Sequence, residues 1–590
     1  MEQLIVYIVI LFILLSLYFN WLGVAFTFVL GILSLGITGI ISPKEILGGF
    51  ANEQIVIIIV LLLIGDIIKS KGILNNFFEK LIFKSANSYQ SFLNRMMFMI
   101  AGSSAFLNNT PLVAVMMPYV NKWSEKNNIS SSKLLIPLSF AAILGGTITL
   151  IGTSTNLIVN GMLENQDVFP QFKSLEIFDF AWVGVPMSLI GILYLILVSN
   201  KLLPNNGNIS KNIEYNIREY IVNIKITKES AYINKTVSDA KLRNLPSLFL
   251  VEVLREDEIF TAIGPGFIIK ENDILSFAGD TESIAEFIEP QKGILLEEGL
   301  KHQVLKKSGL LEVVISNDST LINKTIKQSS FRGKYDASVI AILRNGGKLK
   351  GKLGSISLKA GDVLLMLIGE DFDNLSFRSK DFHRISKIRT YEQAKTFDTI
   401  LLIGGLITAI LLSAFKIVPL FIGVLSLLAV ILLSGVSNPK DIQKGIDFNL
   451  GLIIAMALAL GTAMNKTGIA ADVSHGIINL LSAYGIIGLL AGIYMATSIL
   501  AAYITNVASV AILFPIVLAI AKEESLNPLP FVLLIAYAAA ANFMTPIGYQ
   551  TNMMVYGPGS YKFTDYMKIG LPLTVIYGIG AVLILWWQYF

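Results

Sequence analysis

The chain has 590 residues, of which 54% are hydrophobic and 15% are charged, with a net charge of +4 at pH 7. Soluble domains carry about 25% charged residues, and several apolar runs here reach the roughly 20 residues that cross a bilayer, so the composition predicts a polytopic α-helical membrane protein. The chain has no cysteine and three isolated histidines, which argues against disulfides, zinc sites and a Ser-His-Asp hydrolase. The small positive charge does not indicate nucleic-acid binding.

Residues 1–200 form a first apolar block, called half one below. Hydropathy predicts five spanning helices in it, at 4–19, 22–41, 53–69, 133–160 and 180–199. The first run lacks a basic start and a cleavage site, so we predict a retained helix rather than a signal peptide. Two arms at 91–107 and 111–123 flank the polar tip Asn108-Asn109-Thr110. Arms of about 13–17 residues are short for a span, which predicts a re-entrant hairpin.

Residues 201–396 are charged throughout and contain strand-like alternation, which predicts a soluble α+β insert. The insert is a tandem repeat, because SAYINKT at 230–236 matches STLINKT at 319–325 with an offset of 89 residues. Arg243 matches Arg332 and Asp273 matches Asp362 at the same offset. We predict two domains, 201–297 and 298–396, with strands near 247–254 and 337–343 and short helices at 236–245 and 325–334.

Residues 397–590 form a second apolar block, half two. Its predicted spans are 398–414, 417–434, 449–465, 528–556 and 566–588, and its hairpin arms are 486–502 and 508–521. The sequence FLNNTPLVAVMMP (106–118) aligns with YITNVASVAILFP (503–515) at an offset of 397, and IGTSTNLIVNG (151–161) aligns with IGYQTNMMVYG (547–557) at an offset of 396. An odd number of spans makes half two enter the membrane from the opposite side, which predicts an inverted repeat.

Positive charge is unequal between matching loops. Five basic residues follow the third helix (Lys69, Lys71, Lys80, Lys84 and Arg95), whereas the matching segment 466–485 carries only Lys466. The segment 435–448 carries Lys440 and Lys444. By the positive-inside rule we expect 69–95, 435–448 and the insert to be cytoplasmic, both chain ends to be outside, and the protein to lie in the cell's inner (plasma) membrane.

Four polar breaks interrupt the apolar blocks: the two hairpin tips, and one break inside a spanning helix of each half. An inverted repeat brings such breaks together near the bilayer midplane. Fresh helix N-termini suit an anion, and we predict substrate contacts at Asn109, Thr110, Thr153, Ser154, Asn506, Thr551 and Asn552. Unwound carbonyls and amide oxygens suit Na⁺, for which we predict Asn108, Asn109, Gly152, Asn156, Thr505, Asn506, Pro546, Gly548 and Asn552.

The alternative explanation for these breaks is helix packing, since Asn, Thr and Gly also mediate contacts between membrane helices. Packing is the better explanation for any single break. Four breaks in two matched pairs favour a site. The breaks contain no Lys, Arg, Asp or Glu. A proton-coupled transporter usually needs a buried carboxylate or histidine, so this composition favours Na⁺ coupling.

At these motifs the membrane portion resembles the divalent anion–sodium symporter family, which has an Asn-Thr signature at each hairpin tip. Asn109-Thr110 matches the first signature, whereas Val507 replaces the Thr of the second. The segment TPIGYQTNMMVYGPGSY (545–561) is similar to the second break of a subgroup with two inserted TrkA-type C-terminal (RCK C-terminal) domains. The resemblance implies a homodimer with a scaffold domain and a transport domain that moves as an elevator. It implies no cofactor, with Na⁺ as the coupling ion.

The insert resembles TrkA-type C-terminal domains over 213–292 and 303–385, on the repeated INKT motif and the strands that follow it. That resemblance implies either a dimerisation module or a sensor of a small regulatory ligand. No glycine-rich dinucleotide fingerprint follows a strand in the insert, so the NAD-binding part of related potassium-channel regulators is not expected.

These observations predict a transporter rather than an enzyme: a Na⁺-coupled symporter of a small divalent anion. Family members carry sulfate, citrate or C4-dicarboxylates, and the resembling subgroup favours sulfate, with a dicarboxylate second. A cation/proton antiporter remains an alternative, although it would need a buried acidic residue. A potassium channel would show four repeated filter loops, whereas this chain has two related halves. A membrane enzyme has the least support, because no nucleophile–base pair is evident.

Overall fold

The structure is a computed structural model of the 590-residue chain. It describes residues 1–19, 21–73, 88–164, 166–172, 174–206, 221–242, 248–256, 258–261, 263–279, 294–296, 309–317, 319–344, 347–349, 353–369, 371–376, 379, 381–385, 395–439 and 448–590. The predicted cationic positions Lys80, Lys84, Lys440 and Lys444, and Arg243 of the insert, lie outside these residues. The described part of the chain is mostly helical.

Half one contains nine helices within its described residues. They are α1 (Glu2–Tyr18), α2 (Val24–Ile37), α3 (Pro43–Gly48), α4 (Glu53–Ser70), α5 (Tyr89–Ser104), α6 (Asn109–Lys126), α7 (Leu135–Gly146), α8 (Ser154–Glu164) and α9 (Ala181–Leu202). The predicted spans 53–69 and 180–199 therefore match α4 and α9 closely. The predicted span 133–160 is two helices, α7 and α8, separated by a non-helical segment.

Half two also contains nine helices within its described residues. They are α10 (Thr396–Ala414), α11 (Leu420–Leu433), α12 (Phe448–Thr467), α13 (Ile469–Leu481), α14 (Gly485–Tyr503), α15 (Asn506–Glu523), α16 (Leu529–Ala540), α17 (Gln550–Tyr556) and α18 (Phe563–Tyr589). The predicted span 528–556 is likewise divided, into α16 and α17. Hydropathy predicts no span where helix α13 lies, because the apolar residues of this helix cover only one face.

By length and apolarity, five helical segments of the described chain are long enough to cross a membrane: Ala181–Leu202, Thr396–Ala414, Ile469–Tyr503, Asn506–Glu523 and Phe563–Tyr589. A sixth is reached if the bent pair Pro43–Ala51 and Glu53–Ser70 is one span. Several others are shorter; α2 and α11 have 14 residues each, about 21 Å at 1.5 Å per residue. The ten predicted spans therefore stay a prediction.

Three of the four hairpin arms are longer than predicted, and the first, α5, has nearly the predicted length. Helices α5, α6, α14 and α15 have 16, 18, 19 and 18 residues, because their polar ends continue the helix beyond the apolar run. Length alone therefore does not separate these arms from spans. Both tips are capped helix starts: the Asn108 side chain accepts from the Thr110 N–H at 3.1 Å, and Thr505 Oγ1 accepts from the Ala508 N–H at 3.2 Å.

Two fully enclosed helices form the centre of the membrane region. All twelve residues of α7 are buried, as is nearly all of α16. A helix that is apolar all round belongs inside a bundle. Helix α7 lies against α5 at backbone distance, because a Cβ on Gly145 would lie 2.2 Å from the Ala101 carbonyl oxygen. Exposed apolar side chains on α1, α2, α9 and α18 form the surface of the bundle.

The insert contains two antiparallel five-stranded sheets with the same strand order. The first has the order β3-β2-β4-β1-β5, with β1 (Ile221–Ile226), β2 (Leu248–Arg255), β3 (Glu258–Thr261), β4 (Ile274–Gly279) and β5 (Ile294–Leu296). The second has the order β8-β7-β9-β6-β10, with β6 (Gly309–Ile315), β7 (Ala337–Arg344), β8 (Gly347–Lys348), β9 (Val363–Ile368) and β10 (Phe382–Arg384). The predicted strands 247–254 and 337–343 correspond to β2 and β7.

The two sheets also share their irregularities and ion pairs. Each has a bulge at the same repeat position, and each has a buried aspartate bound by an arginine through two hydrogen bonds. Arg255 contacts Asp273 at 2.7 and 2.8 Å, and Arg344 contacts Asp362 at 2.7 and 2.7 Å. The predicted short helices are wrong over residues 237–242 and 326–330, which are turns. Residues 243–245 of the first prediction lie outside the described residues, and a five-residue helix, Phe331–Tyr335, overlaps the end of the second.

Ion pairs between connecting segments mark the two ends of the helix bundle. At one end, Lys466 contacts Glu45 at 2.6 Å and Lys416 contacts Glu176 at 2.6 Å. At the other end, Lys71 contacts Asp398 at 3.2 Å. Helix α4 begins soon after Glu45 and ends just before Lys71, so it connects the two ends.

The second sheet docks at the end that carries Lys71. Asn121 of α6 donates to the Ile385 carbonyl at 3.2 Å. The turn at Gly361, which has φ of +80°, touches Met553 of α17, and a Cβ on Gly557 would lie 2.4 Å from the Gly361 carbonyl oxygen. The insert thus contacts one arm of the first hairpin and the helix that follows the second break.

Candidate polar site at the helix breaks

The Asn109 side chain joins the first hairpin tip to both helix breaks. It is 2% exposed and stands at the first position of α6. Its amide orientation is assigned from its neighbours. In that orientation the nitrogen donates to Ser104 Oγ at 2.5 Å and to the Ala142 and Gly152 carbonyls at 3.2 Å each, and the oxygen accepts from the Tyr549 hydroxyl at 2.6 Å. The amide is therefore fully engaged by protein groups.

Two further side-chain contacts connect half one to the second break. The Thr110 hydroxyl donates to Gln550 Oε1 at 3.0 Å, and the Thr153 hydroxyl lies 3.1 Å from the Tyr549 hydroxyl. These residues are far apart in sequence, and the fold brings the first tip, the first break and the second break into direct contact. Tyr549 is the shared partner, since its hydroxyl touches both Asn109 and Thr153.

Each break begins earlier than the sequence predicted. Helix α7 ends at Gly146 and α8 starts at Ser154, while α16 ends at Ala540 and α17 starts at Gln550. The predicted site residues Asn156, Thr551 and Asn552 therefore lie in the first helical turn after a break. The non-helical segments are 147–153 and 541–549. Most of these non-helical residues precede the predicted motifs.

The two breaks are closed by matching hydrogen bonds. Asn156 Nδ2 donates to the Thr149 and Gly146 carbonyls at 2.9 and 3.4 Å. At the positions offset by 396, Asn552 Nδ2 donates to the Thr545 and Asn542 carbonyls at 3.2 and 3.0 Å. These amides stabilise the broken backbone by satisfying carbonyls that no water reaches.

The hydroxyls within the two breaks match as well. Thr149 donates to the Ala105 carbonyl, and Thr545 donates to the Ala502 carbonyl at 2.8 Å. Each of these bonds connects a break to the first arm of the hairpin in its own half. Within each half, the tip and the break are therefore neighbours.

The remaining atoms of the two asparagines differ. Asn156 Oδ1 is buried and has no hydrogen-bond partner among the described residues. Asn552 Oδ1, in contrast, accepts from the Ser139 hydroxyl at 2.8 Å, and that hydroxyl also lies 2.9 Å from Thr551 Oγ1. Thr551 and Asn552 therefore form hydrogen bonds with a residue of α7, whereas Asn156 Oδ1 has no partner among the described residues.

Close packing restricts the two predicted glycines. A Cβ on Gly152 would lie 2.6 Å from the Gly146 carbonyl, and the Gly152 carbonyl accepts from Asn109. A Cβ on Gly548 would lie 2.1 Å from Asn542 Nδ2. Pro546 is buried beside it. These positions are determined by backbone approach, so their carbonyls are only partly free for an ion.

The second hairpin tip differs from the first in its hydrogen bonding. Thr505 caps α15, as described above, and Asn506 Oδ1 is a buried atom without a hydrogen-bond partner in the described part of the chain. Beside the first tip, a narrow cleft is lined by Asn108 and Ser154 together with apolar residues of α4.

Several residues in this site were not predicted from sequence. Ser104, Ser139 and Asn542 stood inside or beside apolar runs as isolated polar residues, and Tyr549 and Gln550 lay within the second motif without an assigned role. A lone polar residue facing a bundle interior was the available signal. Sequence alone did not indicate which face of α5 or α7 looks inward.

The site has no formal charge. Its segments contain no Lys, Arg, Asp or Glu, and the described residues contain no group of three or more His, Cys, Asp or Glu side chains that could hold a metal ion. The positive partial charge comes from helix starts: Asn109 begins α6, and the Gly152 carbonyl that it contacts lies just before α8. Two helix N-termini therefore meet there.

Comparison with known proteins agrees with this architecture. The sequence profile of a family described as "Citrate transporter" (CitMHS) matches residues 7–493 and 410–590. The "Uncharacterized transporter sll0640" of Synechocystis is 32% identical over 98% of this chain and 95% of its own length. A Chlamydomonas reinhardtii protein named "Putative sulfur deprivation response regulator" is 33% identical over 92% of this chain and 94% of its own.

More distant relatives have named substrates. "Sodium/sulfate cotransporter 2" of Chlamydomonas reinhardtii is 24% identical over 96% of this chain and 87% of its own length. The predicted symporter resemblance is confirmed at the level of the family, and the Synechocystis and sodium/sulfate relatives are named as transporters. The chain is a multi-pass membrane transporter that belongs to the citrate transporter (CitMHS) family, within the divalent anion/Na⁺ symporter superfamily.

Proposed function

We propose that this transporter is a Na⁺-coupled symporter of a small divalent anion, with sulfate as the first candidate. The observation that carries the proposal is the contact of the first tip with both helix breaks through Asn109 and Tyr549. This contact gathers hydroxyls, amides and helix starts at one uncharged location. Such a location can take an anion only if N–H groups, hydroxyls and a co-bound cation supply the attraction.

For the anion, the support is the pair of helix N-termini that begin α6 and α8. The Thr110, Thr153 and Ser154 hydroxyls accompany them. Free N–H groups at a helix start and the positive end of the helix dipole attract a compact oxyanion. Two distant relatives, 24% and 23% identical to this chain, are named sodium/sulfate cotransporters, which favours sulfate as the anion.

For Na⁺, the support is a set of oxygens without hydrogen-bond partners. Asn156 Oδ1 and Asn506 Oδ1 are buried, one in each half, and neither has a hydrogen-bond partner among the described residues. A buried oxygen left unpaired costs about 1–3 kcal/mol, which a hard cation would offset. One Na⁺ per half, flanking one anion, is the simplest assignment.

For architecture, we infer that the two halves form an inverted repeat and that the insert is a pair of TrkA-type domains on the cytoplasmic side. The matched hydrogen bonds of the two breaks and the matched sheets support this assignment. We further infer a homodimer in which the hairpins and broken helices move together as an elevator. Cross-linking in membranes would detect the dimer, and cysteine accessibility from each side would test the orientation.

The decisive experiment is uptake into proteoliposomes. With an inward Na⁺ gradient we expect labelled sulfate to accumulate, and replacement of Na⁺ by choline to abolish accumulation. Asn109→Ala and Asn506→Ala are expected to lose uptake while the protein remains folded. Wild-type uptake in choline would contradict Na⁺ coupling, and wild-type rates in both variants would contradict the site.

A dicarboxylate or citrate symporter is the second candidate, because the matched family is described by citrate transport. A dicarboxylate would span the first tip and the second tip instead of occupying one oxyanion position. Sulfate, succinate and citrate should therefore be compared side by side in the same vesicles. A cation/proton antiporter has less support, since the breaks contain no acidic residue, and a pH-sensitive dye assay without added anion would detect it.

A further inference from the structure

The Asn542 side chain is buried without a partner. Asn542 lies two residues after the end of α16 and is 2% exposed. Neither atom of its side-chain amide has a hydrogen-bond partner among the described residues. Its backbone carbonyl, in contrast, accepts from Asn552 at 3.0 Å. Buried amide atoms are rarely left unpaired in folded proteins, so a fully unpaired amide in a membrane interior points to a ligand-binding role.

Half one shows what Asn542 faces. At an offset of 396, the residue equivalent to Asn542 is Gly146, and a Cβ on Gly146 would lie 2.8 Å from both amide atoms of Asn109. Asn109 is equivalent to Asn506 at an offset of 397. Because the breaks of the two halves are closed by the same hydrogen bonds, this equivalence makes Asn506 the expected neighbour of Asn542, whose Nδ2 packs against Gly548, 2.1 Å from a Cβ built there.

The partners that engage Asn109 are replaced in half two. Ser104 corresponds to Ala501, which has no hydroxyl, and Tyr549 corresponds to Thr153, whose side chain is shorter. Asn506 Oδ1 is accordingly left without a partner, as are the two amide atoms of Asn542. The Ala501 carbonyl lies in the same location, 2.8 Å from the Cβ position of Gly548.

We propose that Asn542 is a Na⁺ ligand, which forms a half-two cation site together with Asn506 Oδ1. This inference rests on the proposed Na⁺ coupling and deepens it. Amide and carbonyl oxygens are hard, neutral ligands, which suit a monovalent hard cation, whereas Ca²⁺ sites in proteins use carboxylates and transition metals use nitrogen or sulfur. The chain has no such groups at this location.

The consequence is that the two cation sites are chemically unequal. In half one the Asn109 amide is committed to protein groups, so a cation there depends on Asn156 Oδ1 and backbone carbonyls. In half two, two side-chain amides are available. Asn542 would therefore control the Na⁺ affinity of one site and leave the other unchanged.

The test is Na⁺-dependent thermal stabilisation of the purified full chain, with choline chloride holding the ionic strength constant. Asn542→Gly introduces the half-one residue at the equivalent position. We expect the Na⁺ concentration for half-maximal stabilisation to rise by roughly 10–100-fold, the usual effect of disturbing a metal's ligand environment. The same variant should show the same shift in the Na⁺ dependence of uptake.

Asn121→Ala is the matched control, because it removes a buried amide that donates to the Ile385 carbonyl outside the breaks. It should lower the melting temperature without changing the Na⁺ dependence. If Asn542→Gly does not fold, Asn542→Ser keeps one oxygen and should give a smaller shift in the same direction. A Na⁺ dependence in the folded variant within about twofold of wild type would overturn the inference.

The outcome separates this inference from the proposed function. Na⁺ stabilisation that depends on Asn542 in a protein without sulfate uptake would retain the cation site and reject the substrate. Na⁺-driven uptake that is unchanged by Asn542→Gly would retain the function and reject Asn542 as a ligand. A wild-type protein that Na⁺ neither stabilises nor drives would reject both.

Discussion

Replacing Tyr549 with phenylalanine removes one oxygen from the centre of the site and changes little else. The Tyr549 hydroxyl donates to Asn109 at 2.6 Å and lies 3.1 Å from the Thr153 hydroxyl, so it connects the second break to the first tip and the first break. We expect the ring to stay in place in the variant, because Tyr549 is buried and belongs to the hydrophobic core of the membrane region.

The expected magnitude follows from the two lost contacts. A neutral hydrogen bond contributes about 0.5–1.5 kcal/mol net, and leaving a buried partner unpaired costs about 1–3 kcal/mol. Thr153 can rotate toward another acceptor, whereas the Asn109 oxygen has no other partner in the assigned orientation. We therefore expect a loss of about 2–3 kcal/mol in the arrangement that binds substrate, which corresponds to roughly 30–150-fold in substrate affinity.

The assay is the initial rate of Na⁺-driven sulfate uptake over a range of sulfate concentrations. The matched control is Tyr194→Phe, which removes a hydroxyl that donates to the Ile569 carbonyl at 3.0 Å, away from the breaks. The control should lose some thermal stability and retain the wild-type KM. Tyr549→Phe should raise the KM or lower the rate strongly at comparable stability.

One result would refute this reasoning. If Tyr549→Phe retains the wild-type KM and rate while its melting temperature falls as in Tyr194→Phe, then Tyr549 has a packing role only. The contact between the first tip and the second break would then not belong to the binding arrangement.

Three further predictions concern stability. Gly145→Ala should destabilise the protein strongly, because its Cβ would lie 2.2 Å from a backbone carbonyl of α5, whereas Gly102→Ala on α5 meets no atom within 4 Å and should be neutral in the same melting assay. Asp362→Asn should destabilise the second sheet by roughly 2–4 kcal/mol, since it breaks a buried ion pair, and it should lower the resistance of the insert to proteolysis. The control is Lys228→Gln, which removes an ion pair whose lysine side chain is 83% exposed. This control should change the proteolytic resistance little. Burial alone would raise the pKa of Asp381, but hydrogen bonds from neighbouring side chains lower that pKa well below its usual range. The charged form therefore stabilises the fold fully above the ordinary carboxyl pKa of about 4, and this contribution is lost as pH falls below it. Asp381→Asn should lower the melting temperature at pH 7 and weaken its fall between pH 5 and 3, and an unchanged pH profile would contradict this assignment.

The helical elements were largely predictable because a bilayer restricts them. A segment in hydrocarbon must satisfy its own backbone, so apolar runs such as 53–69 and 180–199 become helices with nearly those bounds. The repeat within the insert was also predictable, since the shared INKT and aspartate positions correspond to sheets with one strand order. Where the apolar signal was weaker, as in α13, hydropathy missed the helix.

The candidate site was only partly predictable. The breaks were found because Gly, Pro and Asn interrupt apolar runs, but the non-helical segments begin earlier than the motifs. Asn109 was chosen as a ligand, yet its amide is committed to protein groups. Asn542 follows an alanine run that indicates close packing, and its proposed role depends on Asn506, which belongs to another helix.

The sequence by itself determined the membrane class, the two related halves, the repeated insert and the motifs that mark the four polar breaks. Each of these follows from local composition or from register, which need no knowledge of neighbours. Only the tertiary structure decided which polar atoms form hydrogen bonds within the protein and which have no partner among the described residues. That distinction depends on contacts between residues hundreds of positions apart, such as Asn109 with Tyr549, and side-chain hydrogen bonding is satisfied by whatever atom the fold brings within reach.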